Sequence, residues 1–274
     1  MSRSQPRPKR SLGQNFLVDE NIQRRIVQEA SVGPGDEVLE IGPGRGALTR
    51  HLLELEIRLV LVELDDALAR DWKDRFQDDP RIRVIHGDIL ATDPATLSED
   101  PERLTVVGNI PYNITAPLLF HLLRRPRPRS ALLMVQREVA DRILAEPGGR
   151  QYGALTVGVR SVARVERVLQ VPRTAFRPRP RVDSSVVRIV PFRPEALGRE
   201  EEEGLRRLVR SCFQWRRKKL GKILRDHPDL ASTGEAAARA MEREGVDPDL
   251  RPEALSPATF VGLSRRLFPQ ESVG

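Results

Sequence analysis

Short apolar runs alternate with longer amphipathic ones through the first two-thirds of the chain. Residues 37–41, 59–64, 82–86, 104–107 and 131–136 have strand length and strand composition, while 47–55, 67–76, 116–125 and 138–144 carry apolar residues at helical spacing. Short apolar strands separated by helices predict a parallel sheet covered on both faces, a doubly wound, Rossmann-like α/β domain. A helix is also predicted over 21–30, with Ile22, Ile26 and Val27 on one face and Asp19 as its N-cap. The pattern then changes: 168–171 and 185–190 read as two strands flanking an Arg/Pro-rich loop, 173–183, and closing the sheet with an antiparallel edge. Pro191, Pro194 and the acidic run 200–203 mark a boundary. Beyond it Leu205, Leu208, Val209, Cys212, Phe213, Leu220, Ile223 and Leu224 recur at helical spacing with basic residues opposite them, and 236–244 and 257–267 are helical as well. The expected organisation is an α/β domain over 1–192, preceded by a basic arm over 1–11, and a small all-helical domain over 193–274.

Charge adds a partner class. The net charge is +7 and the isoelectric point near 10.2. Nine Arg or Lys and no acid fall within 204–225, further acid-free clusters cover 3–10 and 124–129, and 173–188 is interrupted only by Asp183. Concentrated charge of this kind suits a phosphate backbone, whose counterions are released on binding. No apolar run approaches the length of a bilayer span, so no membrane is expected. The basic N-terminus lacks the apolar stretch of a signal peptide, which points to a cytoplasmic protein. A single cysteine, Cys212, set among Leu208, Val209 and Phe213, leaves no internal disulfide and no thiolate metal cluster; it reads as a small core residue and no metal is expected.

The candidate chemistry lies where the strands end. The first strand runs into Glu40-Ile41-Gly42-Pro43-Gly44-Arg45-Gly46 and then directly into a helix. Glycines there let the backbone turn sharply and approach a ligand. In a dinucleotide-binding loop the third glycine would stand at 47, whereas here it stands at 46. That spacing is the pattern of S-adenosylmethionine-dependent methyltransferases. Glu63, ending the second strand, is placed to accept ribose hydroxyls, and Asp88, after the third, to accept from an adenine amine. After the fourth come Asn109-Ile110-Pro111-Tyr112. An amide, a carbonyl beside a rigid proline and an aromatic ring suit a planar base with an exocyclic amine. Such an amine is a poor nucleophile because its lone pair is delocalised into the ring, and carbonyl acceptors on its hydrogens draw the nitrogen toward tetrahedral geometry. Taken alone, each piece is equally a turn, a helix cap or a strand-end carboxylate; together they line one crevice.

The residues Ser11 to Leu17 (Ser-Leu-Gly-Gln-Asn-Phe-Leu), the glycine loop, Gly87-Asp88, Gly108 to Asn113, Gln136-Arg137-Glu138 and Phe176 to Ser184 together resemble the ribosomal RNA adenine N6-dimethyltransferases, most closely the bacterial small-subunit branch. The likeness runs in order from about residue 11 to about 222. It implies a class I S-adenosylmethionine methyltransferase domain, with Asn15 and Leu17 contacting the cofactor as their segment folds over it, Gly42 on its methionine part, Glu63 on its ribose, Asp88 on its adenine, and Asn109 touching both cofactor and target amine with help from the Ile110 carbonyl. It further implies that Tyr112 and Phe176 stack on opposite faces of a flipped adenine, and so should be neighbours in space. The partner implied is 16S ribosomal RNA within a small-subunit (30S) assembly particle, met by a monomer. The competing readings are a large-subunit adenine methyltransferase of the macrolide-resistance type, an RNA-binding assembly factor whose methyl transfer is secondary, and a nucleotide-dependent oxidoreductase. The glycine spacing and the lack of any residue suited to hydride chemistry oppose the last.

Overall fold

In a computed structural model the residues described are 14–93, 96–195, 197–230 and 234–268. The basic arm and Ser11 to Gly13 of the family-like segment lie outside them. Two compact units form: one from the chain up to Ala140 with Val165–Pro191, the other from Asp141–Arg164 with Phe192 onward.

The first unit is a seven-stranded sheet. Strands β2 (Glu37–Ile41), β3 (Arg58–Glu63), β4 (Ile82–His86), β5 (Thr105–Asn109), β6 (Ser130–Gln136), β7 (Ala163–Val171) and β9 (Ser184–Pro191) stand in the order β4-β3-β2-β5-β6-β9-β7. The first five are mutually parallel, and β9 runs antiparallel to β6 with Gln136 opposite Ser184. Hence the expected antiparallel edge forms. Buried branched residues such as Val38, Leu39, Leu59, Leu61, Val106 and Val107 make these strands apolar on both faces, as a parallel sheet between helices requires. Two further strands, β1 (Phe16–Leu17) and β8 (Phe176–Arg177), pair antiparallel outside the main sheet. Helix α1 (Glu20–Glu29) begins where expected, with the Asp19 carboxylate accepting from the backbone N–H of Asn21 and Ile22 at 3.0 and 3.2 Å. The order of the chain along the sheet reverses between β2 and β5. In open α/β sheets a crevice opens at such a switch point, beyond the carboxyl ends of the strands.

Three local expectations change. The helix predicted over 47–55 shortens to α2 (Thr49–Leu52), because Gly46 is still in a left-handed conformation (φ +81°) and Leu53 onward turns toward β3. β7 begins at Ala163, earlier than the apolar run, since Arg164, Glu166 and Arg167 obscure the pattern. The basic stretch 204–225 is two helices, α7 (Arg199–Gln214) and α8 (Leu220–Asp226). Residues 216–219 are all charged and offer no apolar anchor, and the N–H groups of Leu220 and Gly221 bond to the carbonyls of Leu250 and Pro248 instead of continuing the helix.

In the second unit α7 and α8 pack with α9 (Gly234–Arg243) and α10 (Pro257–Leu267). Its core includes Leu208, Cys212, Ile223, Leu224, Phe260 and Leu263. Cys212 is fully buried, and desolvation pushes its thiol up to about 12, which makes it an inert packing residue. A domain break at 192 does not anticipate that Asp141–Arg164, with helix α6 (Ala154–Arg160), belongs to this unit. Tyr152 and Val157 are the reason: both are fully buried in the helical core, and the Tyr152 hydroxyl donates to the Leu255 carbonyl at 2.6 Å.

Candidate functional site

A cavity of about 260 Å³ opens at the switch point. Its walls are the carboxyl ends of β2, β3 and β5, the turn after β4, and the segment 14–18. The glycine loop forms its floor. Gly42, Gly44 and Gly46 all have positive φ (+64°, +56° and +81°), the region that favours glycine. At Gly42 an added Cβ would meet nothing within 4 Å, so the loop is open toward the cavity there. Behind the loop, Trp72 of α3 (Asp66–Phe76) holds its shape: the indole N–H donates to the Gly44 carbonyl at 3.1 Å, the ring stacks on Phe76 at 5.6 Å, and a Cβ on Gly46 would come within 2.7 Å of it.

Glu63 lines the cavity although it is only 5% exposed. One carboxylate oxygen accepts from Gly44 N at 2.9 Å and the other from Asp65 N at 2.8 Å, which fixes the group's orientation toward the cavity. Burial raises its pKa and these N–H donors oppose the rise. Asp88, by contrast, is exposed at the rim and accepts from Leu90 N at 2.9 Å. Asn109 ends β5 and donates its side-chain N–H to the Asn15 carbonyl at 2.9 Å, tying the segment 14–18 to the sheet and leaving its own carbonyl oxygen as an acceptor. Ile110 is buried, its N–H bonded to the Met134 carbonyl of β6. Pro111 and Tyr112 complete that wall, the Tyr112 hydroxyl lying 3.2 Å from Ser184 Oγ. Desolvation raises the phenol's pKa, the Ser184 contact working against it. Thus Asn15, Leu17, Gly42, Glu63, Asp88, Asn109, Ile110, Pro111 and Tyr112 all border one cavity.

Phe176 is the exception. Its ring is fully buried beside Leu17, Val171, Ala175 and Val186, because β8 pairs with β1 and sets Phe176 opposite Leu17. It is absent from the cavity wall and makes no ring contact with Tyr112 among the described residues. The ring instead backs Leu17, which does line the cavity.

Several residues that the motifs left without a role stand in the wall. Leu64 and Ile89 each follow an acidic residue by one position, and Leu64 is 50% exposed, so apolar surface lies beside both carboxylates. Such surface suits a flat heterocycle. Glu40 is 2% exposed and accepts from the Thr49 hydroxyl of α2 at 2.7 Å. Burial, with the nearby Glu63 charge adding to it, raises its pKa to about 8. An unfolded glutamate titrates near 4.5, so between the two values the folded chain holds a proton the unfolded chain has lost. The stabilisation tied to that proton is complete at low pH and declines as pH rises toward 8. Glu40→Gln abolishes this titration and keeps an acceptor for Thr49. Its urea midpoint relative to wild type should therefore be higher at about pH 8.5 than at about pH 5, and an offset equal at both pH values would refute the buried proton.

Comparison with known proteins places this cavity in a family. A sequence model of the family described as ribosomal RNA adenine dimethylase matches residues 6–267. The "Ribosomal RNA small subunit methyltransferase A" of Geobacillus thermodenitrificans is 40% identical over 267 residues, covering 95% of this chain and 91% of that protein. The protein of the same name from Maridesulfovibrio salexigens is 42% identical over 259 residues, 94% of each chain. Among solved structures, a dimethyladenosine transferase from Plasmodium falciparum superposes with a TM-score of 0.74 at 28% identity, covering 90% of this chain and 95% of that one. The 23S rRNA methyltransferase ErmE superposes with a TM-score of 0.70 at 30% identity, covering 92% of this chain and 99% of that one. A methyltransferase fold, a glycine loop spaced for a cofactor without pyrophosphate, and likeness along nearly the whole chain agree: this chain belongs to the ribosomal RNA adenine dimethylase family, enzymes that draw their methyl groups from S-adenosylmethionine.

Proposed function

We propose that this chain dimethylates N6 of two adjacent adenines in a loop near the 3′ end of 16S ribosomal RNA, acting as a cytoplasmic monomer on a small-subunit assembly particle. The observation that carries the reading is the convergence of Asn109-Ile110-Pro111-Tyr112 on the same cavity as Gly42, Glu63 and Asp88. Relatives at 40 and 42% identity bear a small-subunit name, whereas the large-subunit enzyme ErmE stands at 30%. That difference supports the small subunit as substrate. No helix among the described residues is long and apolar enough to cross a membrane, and no group of His, Cys, Asp or Glu among them could hold a metal ion.

The cavity fits S-adenosylmethionine: a cradle open at Gly42, a nearly buried, oriented carboxylate at Glu63, and apolar surface at Leu64 and Ile89. When bound, the cofactor supplies a methyl group attached to sulfonium sulfur. Glu63 would accept the ribose hydroxyls and Asp88 the adenine amine, with Gly42 at the methionine part and Asn15 and Leu17 contacting the cofactor from the segment 14–18. Asn109 Oδ1 and the Ile110 carbonyl would accept from the target amine, loosening its conjugation with the ring. Tyr112 would stack on the base, its hydroxyl directed at Ser184. No strong general base is required, since the N6 proton becomes acidic only as the amine is alkylated. Chemistry then rests on placement of the two reactants. A stacking role for Phe176 would require its release from β1.

The test is methyl transfer from labelled cofactor to unmethylated 30S and 50S particles, followed by mass mapping of the modified nucleotides. Label confined to adjacent adenines of the 30S particle supports the proposal; label on the 50S particle alone overturns it. In the same assay Tyr112→Ala should lower kcat/KM by roughly 10- to 100-fold, the worth of one base stack. Tyr112→Phe, which keeps the ring, should stay within a few-fold of wild type. Equal rates for Tyr112→Ala and wild type would remove the stacking role.

A further inference from the structure

We propose that Arg177 at the end of β8, with Arg179 and Arg181 on the loop joining β8 to β9, grip the RNA phosphates that flank the adenine presented to the cavity; the inference rests on the methyltransferase reading above. The charge clusters of the sequence suggest several phosphate-binding faces, but folding pairs part of that charge with acids. Within 204–225, Arg206 pairs with Glu203, Arg216 with Glu253, Lys219 with Asp249, and Lys222 and Arg225 both with Asp226, at 2.7 to 2.9 Å. Arg207 lies over the Phe268 ring at 5.1 Å. These acids flank the stretch or return from later in the chain, so its acid-free sequence misstates its surface. In 124–129, Arg127 is buried with its Nε donating to the Leu123 carbonyl at 2.9 Å, and Arg129 meets Asp36 at 3.3 Å.

The β8–β9 loop is different. Arg179 and Arg181 within it, Arg177 at the end of β8 and Arg173 just before β8 are exposed, and none forms an ion pair with an acid among the described residues. Asp183, the one acid in the loop, accepts from Arg173 N at 3.0 Å and lies 3.7 Å from the Arg137 guanidinium. Arg173 donates from its side chain to the Arg181 carbonyl at 3.4 Å, and Arg177 to the Phe176 carbonyl at 2.9 Å, so these contacts shape the loop without neutralising it. Both ends are fastened to the cavity wall. Phe16 is paired with Arg177 in the β1–β8 register, and Ser184 meets the Tyr112 hydroxyl. An uncompensated cationic loop is thereby held beside the ring proposed to receive a flipped base. Extruding a base from its stack requires a hold on the backbone to either side of it, and guanidinium groups suit phosphate by geometry and charge.

The experiment is binding and methylation of unmethylated 30S particles by Arg179→Ala/Arg181→Ala between about 50 and 200 mM salt. Each lost phosphate contact should flatten the plot of log K against log salt by roughly 0.7 to 0.9, so about 1.5 for the pair. The KM for particles should rise about 10-fold at the higher salt while calorimetric affinity for the cofactor and the melting temperature are unchanged. Arg179→Lys/Arg181→Lys should recover most of the slope. Arg24→Ala/Arg70→Ala removes the same charge from exposed arginines already paired with Glu20 and Asp66, and should leave the slope near wild type. A wild-type slope and KM in the loop variant, or an equal change in the control, overturns the proposal. Methyl transfer by the unaltered enzyme in the same assay reports separately on the methyltransferase reading, so the two can fail independently.

Discussion

Replacing Asn109 with Ala should reduce single-turnover methyl transfer by roughly 10²- to 10³-fold, the cost of removing one positioned polar group from a reaction centre. The side chain has two roles at once. Its N–H donates to the Asn15 carbonyl, which fastens the segment bearing Phe16 and Leu17 over the glycine loop. Its oxygen is the acceptor proposed for the target amine. The two roles separate in Asn109→Asp, which keeps an acceptor oxygen but cannot donate to Asn15 when ionised. If the amide acts chiefly by fastening the segment, Asp and Ala should lose cofactor affinity alike; if it acts chiefly on the amine, cofactor affinity should survive in both while turnover falls. Near-normal turnover for Asn109→Ala, measured with labelled cofactor under saturating RNA, would falsify the assignment.

A second large effect is expected at Gly46. An alanine there must adopt a φ of +81°, which costs about 1–2 kcal/mol for a residue with a Cβ. The same Cβ would stand 2.7 Å from the Trp72 ring. That ring cannot easily yield, since it is bonded to the Gly44 carbonyl and stacked on Phe76, and overpacking of this kind adds about 1–3 kcal/mol. Together these terms should lower the melting temperature of Gly46→Ala by roughly 5–15 °C. Moving Trp72 would also disturb the Gly44 peptide whose N–H orients Glu63, so cofactor affinity should fall with stability. Gly35→Ala supplies the reference: φ is +83° but no atom lies within 4 Å of the added Cβ. It should show the backbone strain alone. If the two variants melt at the same temperature, Trp72 is not the brace inferred here.

Much of the architecture was legible because its causes are local. Residues 37–41 and 82–86 form strands β2 and β4 with the predicted limits, and 257–267 forms α10, since period and composition agree over each whole element. The site acids were legible for a related reason: once strands are assigned, their carboxyl ends are known, and Glu63, Asp88 and Asn109 follow from position alone. Where several weak local signals compete, the reading was less exact. α6 is a single short turn-flanked helix beginning after Gly153, and β7 alternates charge with partial burial, so neither stands out from its surroundings.

What the chain determines without its tertiary structure is the set of reacting groups and the order in which strands deliver them, because strand ends and glycine turns are specified within a few residues. What only the tertiary structure decides is which groups meet. Phe176 is placed against Leu17 by a two-residue strand pairing across more than a hundred and fifty positions of sequence, a contact no periodicity encodes. Likewise the stretch 204–225 keeps its nine positive residues in any reading, yet Asp226, Asp249 and Glu253 neutralise several of them once the helices pack. Charge composition is a property of the chain; the field it produces depends on distance, and distance is settled only by folding.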